Sequence, residues 1–200
     1  MKKSFLFNGQ NQGLIRINFI FILITFCLQF NFAQLQVNLS GGIAGGYSPN
    51  LVYEETDSKT HEGKGNTISI FGEILLQKKW IGRLQLVNLI PSTYTGDFES
   101  NFKSGRSFTG SLGILLGNPE SKLRFPAMVS SGFSIITYEA NGDDYSDGGG
   151  QIGITAGPQY QITKHLFALA EIRYLKGFKS SSESGPVGQT DFLIGLKIML

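Results

Sequence analysis

Two histidines are present in this 200-residue chain, and any histidine-based catalysis depends on them. His61 lies close to Ser58 and Glu62, and His165 lies in a short polar segment between apolar stretches. A serine nucleophile, a histidine base and an acid transfer acyl groups when they come within hydrogen-bond reach. The spacing of Ser58, His61 and Glu62 matches no recognised catalytic pattern. We therefore interpret both histidines as solvated loop residues and predict no catalytic residue.

The acidic segment "NGDDYSDGGG" is the candidate for calcium binding, since Asp143, Asp144 and Asp147 offer carboxylates. An EF-hand loop counted from Asp143 would place Tyr145 at its third position and Ile154 at its twelfth, where a bidentate glutamate belongs. We interpret the segment as a solvated acidic turn. The chain also has no Walker or dinucleotide-binding fingerprint, so the sequence predicts neither a metal site nor a cofactor.

The N-terminal segment differs physically from the rest of the chain. It combines basic residues, an apolar stretch and a small final residue: Lys2, Lys3, Arg16, residues 17–32 and Ala33. The apolar stretch is shorter than the roughly 20 residues that span a bilayer as a helix, which disfavours a transmembrane anchor. We therefore predict that residues 1–33 are a signal peptide and that residues 34–200 form one mature domain.

The only cysteine, Cys27, lies within the predicted signal peptide. The bulky Phe26 precedes it, where a lipoprotein signal needs a small residue, so we do not expect lipidation. The mature domain then has no thiol for a disulfide or a metal. Removing Lys2, Lys3 and Arg16 from the 17 basic residues leaves 14 against 15 acidic residues, and this balance disfavours nucleic-acid binding.

Eight segments of the mature domain have the alternation of β-strands. The chain has 16% charged residues and 26 glycines, a composition that suits strands and turns. The segments are longer than ordinary globular strands and meet the roughly 9 to 11 residues needed to cross a membrane at a tilt. The predicted strands are residues 36–47, 66–78, 80–95, 105–117, 122–139, 150–161, 166–178 and 189–200.

The connectors between these strands alternate between long and short. Short ones lie near Lys79, at residues 117–122 and near Thr163. Long polar ones are predicted at residues 48–65, 96–104, 140–149 and 179–188. This alternation places both ends of an antiparallel up-and-down sheet on the side of the short turns. Such a layout is typical of a transmembrane β-barrel of the outer membrane.

Most of the predicted strands have one apolar face without charge and one polar face. In a transmembrane barrel the apolar face contacts lipid, whereas in a soluble lipocalin-like barrel it lines the interior. Periodicity alone leaves this inversion open. The faces of the strand at residues 122–139 stay unassigned, because Pro126 and Gly132 indicate a bulge or a bend there.

Aromatic residues on the apolar faces favour the membrane orientation. They lie near strand ends, where a membrane interface accommodates rings, whereas ordinary core aromatics would also occur in mid-strand. The predicted aromatic girdle consists of Tyr47, Trp80, Tyr94, Phe108, Tyr160, Tyr174, Phe178 and Phe192.

The charges on the polar faces balance, as an enclosed lumen requires. The candidate ion-pairing residues are Glu73, Arg83, Glu171, Arg173, Asp191 and Lys197. Leu76 and Trp80 both belong to the apolar face, so the hairpin loop between them is odd-numbered and sets Glu73 opposite Arg83. An unpaired charge in a dry lumen would be costly, whereas a carboxylate and a guanidinium satisfy each other. We therefore predict that Glu73 and Arg83 pair inside the lumen.

The final segment, "TDFLIGLKIML", alternates apolar residues up to Leu200. A terminal strand of this kind is similar to the signal by which barrel-insertion machinery recognises outer-membrane proteins, although a leucine stands where an aromatic is usual. We expect the C-terminal strand to bind that machinery.

The run "GPQYQITKHLFALAEIRYLKGF" resembles strands six and seven of the small OmpA-like/OmpX-like outer-membrane β-barrel family, a porin-type family of Gram-negative bacteria. The resemblance rests on a tyrosine, a short turn, a glutamate and a closing tyrosine: Tyr160, Ile162, Thr163, Glu171 and Tyr174. Pro158 departs from the pattern. The resemblance implies an all-β, eight-stranded antiparallel up-and-down transmembrane β-barrel.

The function expected from these features is that of a non-enzymatic integral protein of the cell outer membrane, with outer-membrane lipid as its partner. An eight-stranded barrel is just wide enough to hold its own side chains, so an open pore is not expected. The resemblance implies an envelope-structural role or surface interaction through extracellular loops. Two alternatives stay open: a secreted ligand-binding barrel, and a lipid A-modifying barrel enzyme that uses His61.

Overall fold

A computed structural model describes residues 36–54, 60–95, 101–118, 120–140, 143–178 and 187–200. Almost all of them lie in strands. The strands are β1 (Val37–Glu54), β2 (Thr60–Leu76), β3 (Trp80–Thr95), β4 (Asn101–Leu116), β5 (Leu123–Ala140), β6 (Asp143–Ala156), β7 (Gln159–Gln161), β8 (Leu166–Phe178) and β9 (Val187–Met199). Within the described ranges, no helix is long and apolar enough to cross a membrane.

The strands form a closed antiparallel ring. Strands that follow one another along the chain pair, except that β6 and β7 both lie between β5 and β8, and the ring closes because β9 also pairs with β1. β4 pairs with β5 and β6 pairs with β8, with one register shift in the β4–β5 ladder, between Phe102 and Ser104. An open edge would leave N–H and C=O groups without partners in hydrocarbon, and closure removes that cost.

The sixth predicted strand is divided into β6 and β7 at Pro158. Proline has no N–H to donate to the ladder, so the pairing is interrupted there. The backbone stays hydrogen-bonded to both neighbouring strands at this point. The Gly157 N–H donates to Pro126 O at 3.4 Å, and the Ala170 N–H donates to Pro158 O at 3.0 Å. The short β7 therefore continues β6 between β5 and β8, and the prediction of eight membrane-crossing segments is confirmed.

The strands extend further toward the long connectors than the sequence predicts. β1 continues to Glu54, and β6 begins at Asp143. The predicted acidic turn is wrong, because Asp143 pairs with Ala140 and Asp144 pairs with Glu139 in the β5–β6 ladder. Beyond the apolar band neither face of a strand needs a continuous apolar stripe, so the alternation that reveals a strand is lost there.

The apolar faces of the sheet point outward and the polar faces point into the lumen. In β4, Phe108 and Leu112 are exposed on the outer surface, whereas Ser107, Thr109 and Ser111 are buried. The other strands follow the same alternation over most of their length. This orientation is the reverse of a soluble ligand-binding barrel, so that alternative is wrong.

The structure also assigns the faces of β5. Phe125, Val129 and Phe133 point outward, and Pro126 and Gly132 lie on the inward face. The bulge expected at Pro126 and Gly132 is absent, since the register with β4 is unbroken across both positions. The two outward phenylalanines were not predicted as girdle residues, because the faces of this strand were unassigned.

The short turn between β2 and β3 sets the register of the lumen charges. Gln77 and Lys78 adopt positive φ angles of 52° and 57°, and the Lys79 N–H donates to Leu76 O at 3.0 Å. Leu76 therefore pairs with Trp80, and Glu73 lies directly opposite Arg83.

We expect Leu112→Lys to lower the free energy of unfolding in lipid vesicles by about 2–4 kcal/mol, the cost of a cation on the lipid-facing surface near the bilayer midplane. Leu112 is 75% exposed in the isolated chain, so the same change in a water-facing wall would cost almost nothing. Urea titration followed by gel mobility measures the free energy of unfolding of the variant and of the wild type. Leu123→Lys, beside a short turn, is the matched control and should cost about 1 kcal/mol or less. Equal effects at both positions would contradict the membrane orientation.

Candidate functional site: the ion-pair network of the lumen

Inward glycines make room for a large ring in the lumen and for the close approach of neighbouring strands. An added Cβ on Gly42 would lie 2.3 Å from the Phe71 ring and 2.5 Å from Leu196 O, so this glycine accommodates both the ring and the backbone of β9. At Gly113 and Gly153 the backbone contact is closer still, because an added Cβ would lie 2.1 Å and 1.9 Å from a carbonyl oxygen of the neighbouring strand. Close approach between coiled strands therefore explains part of the glycine content.

Arg83 is the centre of a buried ion-pair cluster, here called the Arg83 network. Its Nη2 and Nε donate to Glu73 Oε2 at 2.6 Å and 3.1 Å. Its Nη1 donates to Glu171 Oε1 at 2.5 Å. Glu171 belongs to β8, which is not a neighbour of β3 in the ring, so this contact crosses the lumen. The Phe71 ring lies beneath the guanidinium, at 4.5 Å from its centre.

Lys197 completes the charge balance of the Arg83 network. Its Nζ donates to Glu73 Oε1 at 2.8 Å and to Gln159 Oε1 at 2.5 Å. Two cations therefore face two carboxylates in one dry layer. Charges taken out of water are tolerated when each has a close partner, and removal of one partner is then costly.

A second cluster, here called the Arg173 pair, lies nearer the loop side. Arg173 Nε donates to Asp191 Oδ2 at 2.7 Å, and Gln189 Nε2 donates to Asp191 Oδ1 at 2.7 Å. Arg173 Nη2 lies 2.6 Å from the same Asp191 Oδ2, a close ion pair without hydrogen-bond alignment. All six candidate charges of the sequence analysis thus lie in the lumen, four in the Arg83 network and two in the Arg173 pair.

Hydrogen bonds between uncharged groups connect several of the remaining polar side chains, and the sequence did not identify these contacts. Gln85 Nε2 donates to Ser69 Oγ at 2.9 Å, and Ser107 Oγ donates to Gln151 Oε1 at 3.0 Å. Glutamines at inward positions of the alternation were the available signal for these contacts. The choice of hydrogen-bond partner for each inward side chain depends on the curvature of the barrel, which the alternation of residues does not encode.

Apolar clusters close the lumen on both sides of the polar layers. The cluster near the short turns consists of Leu75, Ile81, Leu115 and Met128. The cluster near the long connectors consists of Leu51, Leu89, Ile136 and Val187, with Tyr138 packed against it. The charged side chains between them are almost inaccessible to water. The charged groups of the network therefore contact one another and the packed side chains around them, and they contribute to packing and charge compensation.

The predicted girdle residues that the structure describes lie on the outer surface and are exposed there: Tyr47, Trp80, Phe108, Tyr160, Tyr174, Phe178 and Phe192. Tyr94 is in β3, but its side chain lies outside the described set. Phe125 and Phe133 add two rings that the sequence analysis missed.

The candidate histidine chemistry finds no support in the described residues. His165 lies in the turn between β7 and β8, and its Nδ1 is 3.1 Å from the Met199 carbonyl. His61 is in β2 rather than in a loop, and its side chain, like Ser58, lies outside the described set. No group of acidic, histidine or cysteine side chains in the described ranges is arranged to hold a metal ion.

A polar cluster, here called the Lys103 cluster, lies on the extended strands at the loop side. Lys103 Nζ lies 2.5 Å from Asp144 Oδ1 and 2.9 Å from Glu139 Oε2. The hydrogen bond to Asp144, followed by that to Glu139, raises the pKa of Lys103. Because the pKa of Lys103 is raised in the folded state, its ion pairs contribute their full stability at a pH below the ordinary lysine pKa. That stability is lost only as the pH rises through the raised pKa. The rings of Tyr138 and Tyr145 stack nearby with centroids 5.8 Å apart.

These features define a class: a closed antiparallel barrel with an apolar outer surface and enclosed charges is an integral β-barrel protein of the outer membrane. The sequence comparison identifies the family. Residues 19–199 match the outer membrane protein beta-barrel domain, and the chain belongs to this family. No curated protein matches the sequence.

Solved structures share the fold at low sequence identity. Neisserial surface protein A (NspA) is 12% identical with a TM-score of 0.61, over 82% of this chain and 97% of that one. The N-terminal β-barrel domain of Pseudomonas aeruginosa OprF is 14% identical with a TM-score of 0.52, over 82% of this chain and 100% of that one. The outer membrane protease OmpT from Escherichia coli is 12% identical over 82% of this chain and 97% of that one, but its TM-score of 0.46 is too low to support an argument.

We expect Arg83→Met to lower the free energy of unfolding in lipid vesicles by about 3–5 kcal/mol, because it leaves Glu73 and Glu171 with only Lys197 to compensate them. Adding Glu171→Gln restores neutrality and should recover about half of the loss or more. Urea unfolding monitored by gel mobility gives the free energy of unfolding of the wild type, of Arg83→Met and of the double variant. A change below about 1 kcal/mol for Arg83→Met would mean that the carboxylates are hydrated and that the lumen is not dry.

Proposed function

We propose that this protein is a non-enzymatic structural component of the outer membrane that does not conduct solutes and that presents its extended strands to the outside. The observation that carries the proposal is the filled lumen. Two apolar clusters enclose two layers of mutually compensated charge, and no charged side chain in these layers is accessible enough to contact a substrate.

The extended strands supply the surface for contact with the exterior. β4, β5 and β6 continue past the apolar band, and they carry the Lys103 cluster and the exposed ring of Tyr145. A paired sheet holds these side chains in fixed positions, which lowers the entropy cost of binding a partner compared with a free loop. We infer that envelope or surface contacts are made here.

The absence of enzymatic activity is part of the proposal. It is supported by the position of His165 on the short-turn side, away from the extended strands. Fold likeness at 12% identity transfers no catalysis to this chain. If lipid A from cells that carry the wild-type protein differs from lipid A of His61→Ala cells, the barrel acts on lipid and the non-enzymatic proposal is wrong.

The signal peptide and the insertion signal also stay proposals. Residues 1–33 lie outside the described ranges, and we infer that they direct export and are then removed. The last strand presents its apolar stripe outward at Phe192, Ile194, Leu196 and Ile198, and we infer that the barrel-insertion machinery recognises it. A truncation of β9 that still inserts normally would contradict this role.

We expect proteoliposomes that contain this protein to take up small sugars no faster than protein-free liposomes, because both apolar clusters would have to open. Light-scattering swelling assays measure the rate. A general porin reconstituted in parallel shows that the assay detects an open channel. Swelling above the protein-free rate, in proportion to the amount of folded barrel, would refute the non-conducting proposal.

We expect Tyr145→Cys to react with a membrane-impermeant maleimide on intact cells, because the residue lies on the extended part of β6. Lys122→Cys, in the turn between β4 and β5, should react only after the outer membrane is permeabilised. The unmodified chain is the background control, since its single cysteine is Cys27. Labelling of Lys122→Cys on intact cells would reverse the orientation.

A further inference from the structure

A recess of about 200 Å³ opens on the outer wall of the barrel where β8 and β9 meet β1. One row of paired residues that lines the recess runs across three strands. Tyr174 in β8 pairs with Thr190 in β9, and Thr190 pairs with Asn50 in β1. The row thus offers a phenol, a hydroxyl and an amide on one side of the sheet.

Gly188 makes the recess concave. It pairs with Val52 in β1, and Lys176 of β8 also lines the recess. The atom nearest to an added Cβ on Gly188 would be Leu175 O at 3.6 Å, an ordinary contact distance. A side chain fits at this position without collision, so packing alone does not explain the glycine.

The polar groups of the recess have no partners within the described part of the chain. The side chains of Lys176, Tyr174, Thr190 and Asn50 make no ion pair or hydrogen bond there, and Thr190 takes part only through its carbonyl, which accepts from Ser48 Oγ at 2.7 Å. No residue that lines the recess is acidic. Among the described residues, Lys176 is thus a cation without an ion-pair partner beside three neutral hydrogen-bonding groups.

The position of Lys176 relative to the membrane follows from the strand. Tyr174 and Phe178 both belong to the aromatic girdle, and Lys176 lies between them in β8 on the same outward face. Two residues of a strand span about 6–7 Å. A cation between two girdle rings lies at the membrane interface, where basic side chains attract the headgroups of anionic lipids.

We propose that this recess binds the phosphorylated headgroup of a lipid in the outward-facing leaflet of the outer membrane. Lys176 contacts a phosphate oxygen, which is the stronger, charge-assisted interaction. Thr190 and Asn50 donate further hydrogen bonds, and Tyr174 positions the start of the acyl chains, which continue along the apolar wall. The proposal does not depend on whether the lumen conducts.

The test uses the full mature protein in phosphatidylcholine vesicles with a minor fraction of phosphorylated lipid A. After extraction into mild detergent, mass spectrometry quantifies the lipid A that stays bound to folded barrel. We expect Lys176→Gln to lower the amount retained about tenfold, in line with the loss of one charge-assisted contact. Gly188→Leu should produce a similar loss with the charge intact, and Lys176→Arg should retain the lipid.

Arg106→Gln is the matched control, since Arg106 is an outward cation near the loop side of β4 that does not line the recess. It removes the same charge and should leave retention unchanged. Equal retention by Lys176→Gln and wild type, or an equal loss in Arg106→Gln, would overturn the proposal. Displacement of lipid A by inorganic phosphate would also overturn it, because the site would then select free phosphate rather than a lipid headgroup.

Discussion

The strict alternation of side chains along a closed, hydrogen-bonded sheet is the constraint on which the rest of this structure depends. In hydrocarbon every backbone N–H and C=O must be paired inside the protein, and closure of the ring through β9 and β1 satisfies this demand. Once the ring is closed, each residue faces either lipid or lumen. Most lipid-facing positions are then taken by apolar residues, and the ion-paired charges of the band point into the interior.

Because of that constraint, the charges of the lumen are shielded from bulk water. Arg83 holds Glu73 and Glu171, and Lys197 compensates the remaining charge, so each ion is acceptable only while the others are in place. The contact between Arg83 and Glu171 also joins opposite walls of the ring. The network thus couples the strands to one another across the interior, and the same contacts that compensate charge fill the space a solute would need.

Much of the fold follows from the sequence because period-two alternation and turn length are local properties. The outward faces of β2, β4, β6, β8 and β9, and the alignment of Glu73 with Arg83, follow from parity alone. Other features depend on information that alternation does not hold. The pairing of Arg83 with Glu171 needs the curvature that brings β3 and β8 together. The inward cluster of Leu51 and Val187 needs the position of the band edge, beyond which apolar residues turn inward to close the lumen. The faces of β5 were hidden because Pro126 and Gly132 imply a break that the unbroken ladder does not contain.

The central claim is that hydrocarbon contacts the apolar faces and that the charged faces are enclosed. Site-directed spin labelling of β4 tests it most directly, with one nitroxide at a time at positions 107 to 112 of the protein in lipid vesicles. The account predicts high collision rates with oxygen at Phe108, Gly110 and Leu112 and low rates at Ser107, Thr109 and Ser111, which point into the packed lumen. The opposite phase, or no alternation along these six positions, would contradict it.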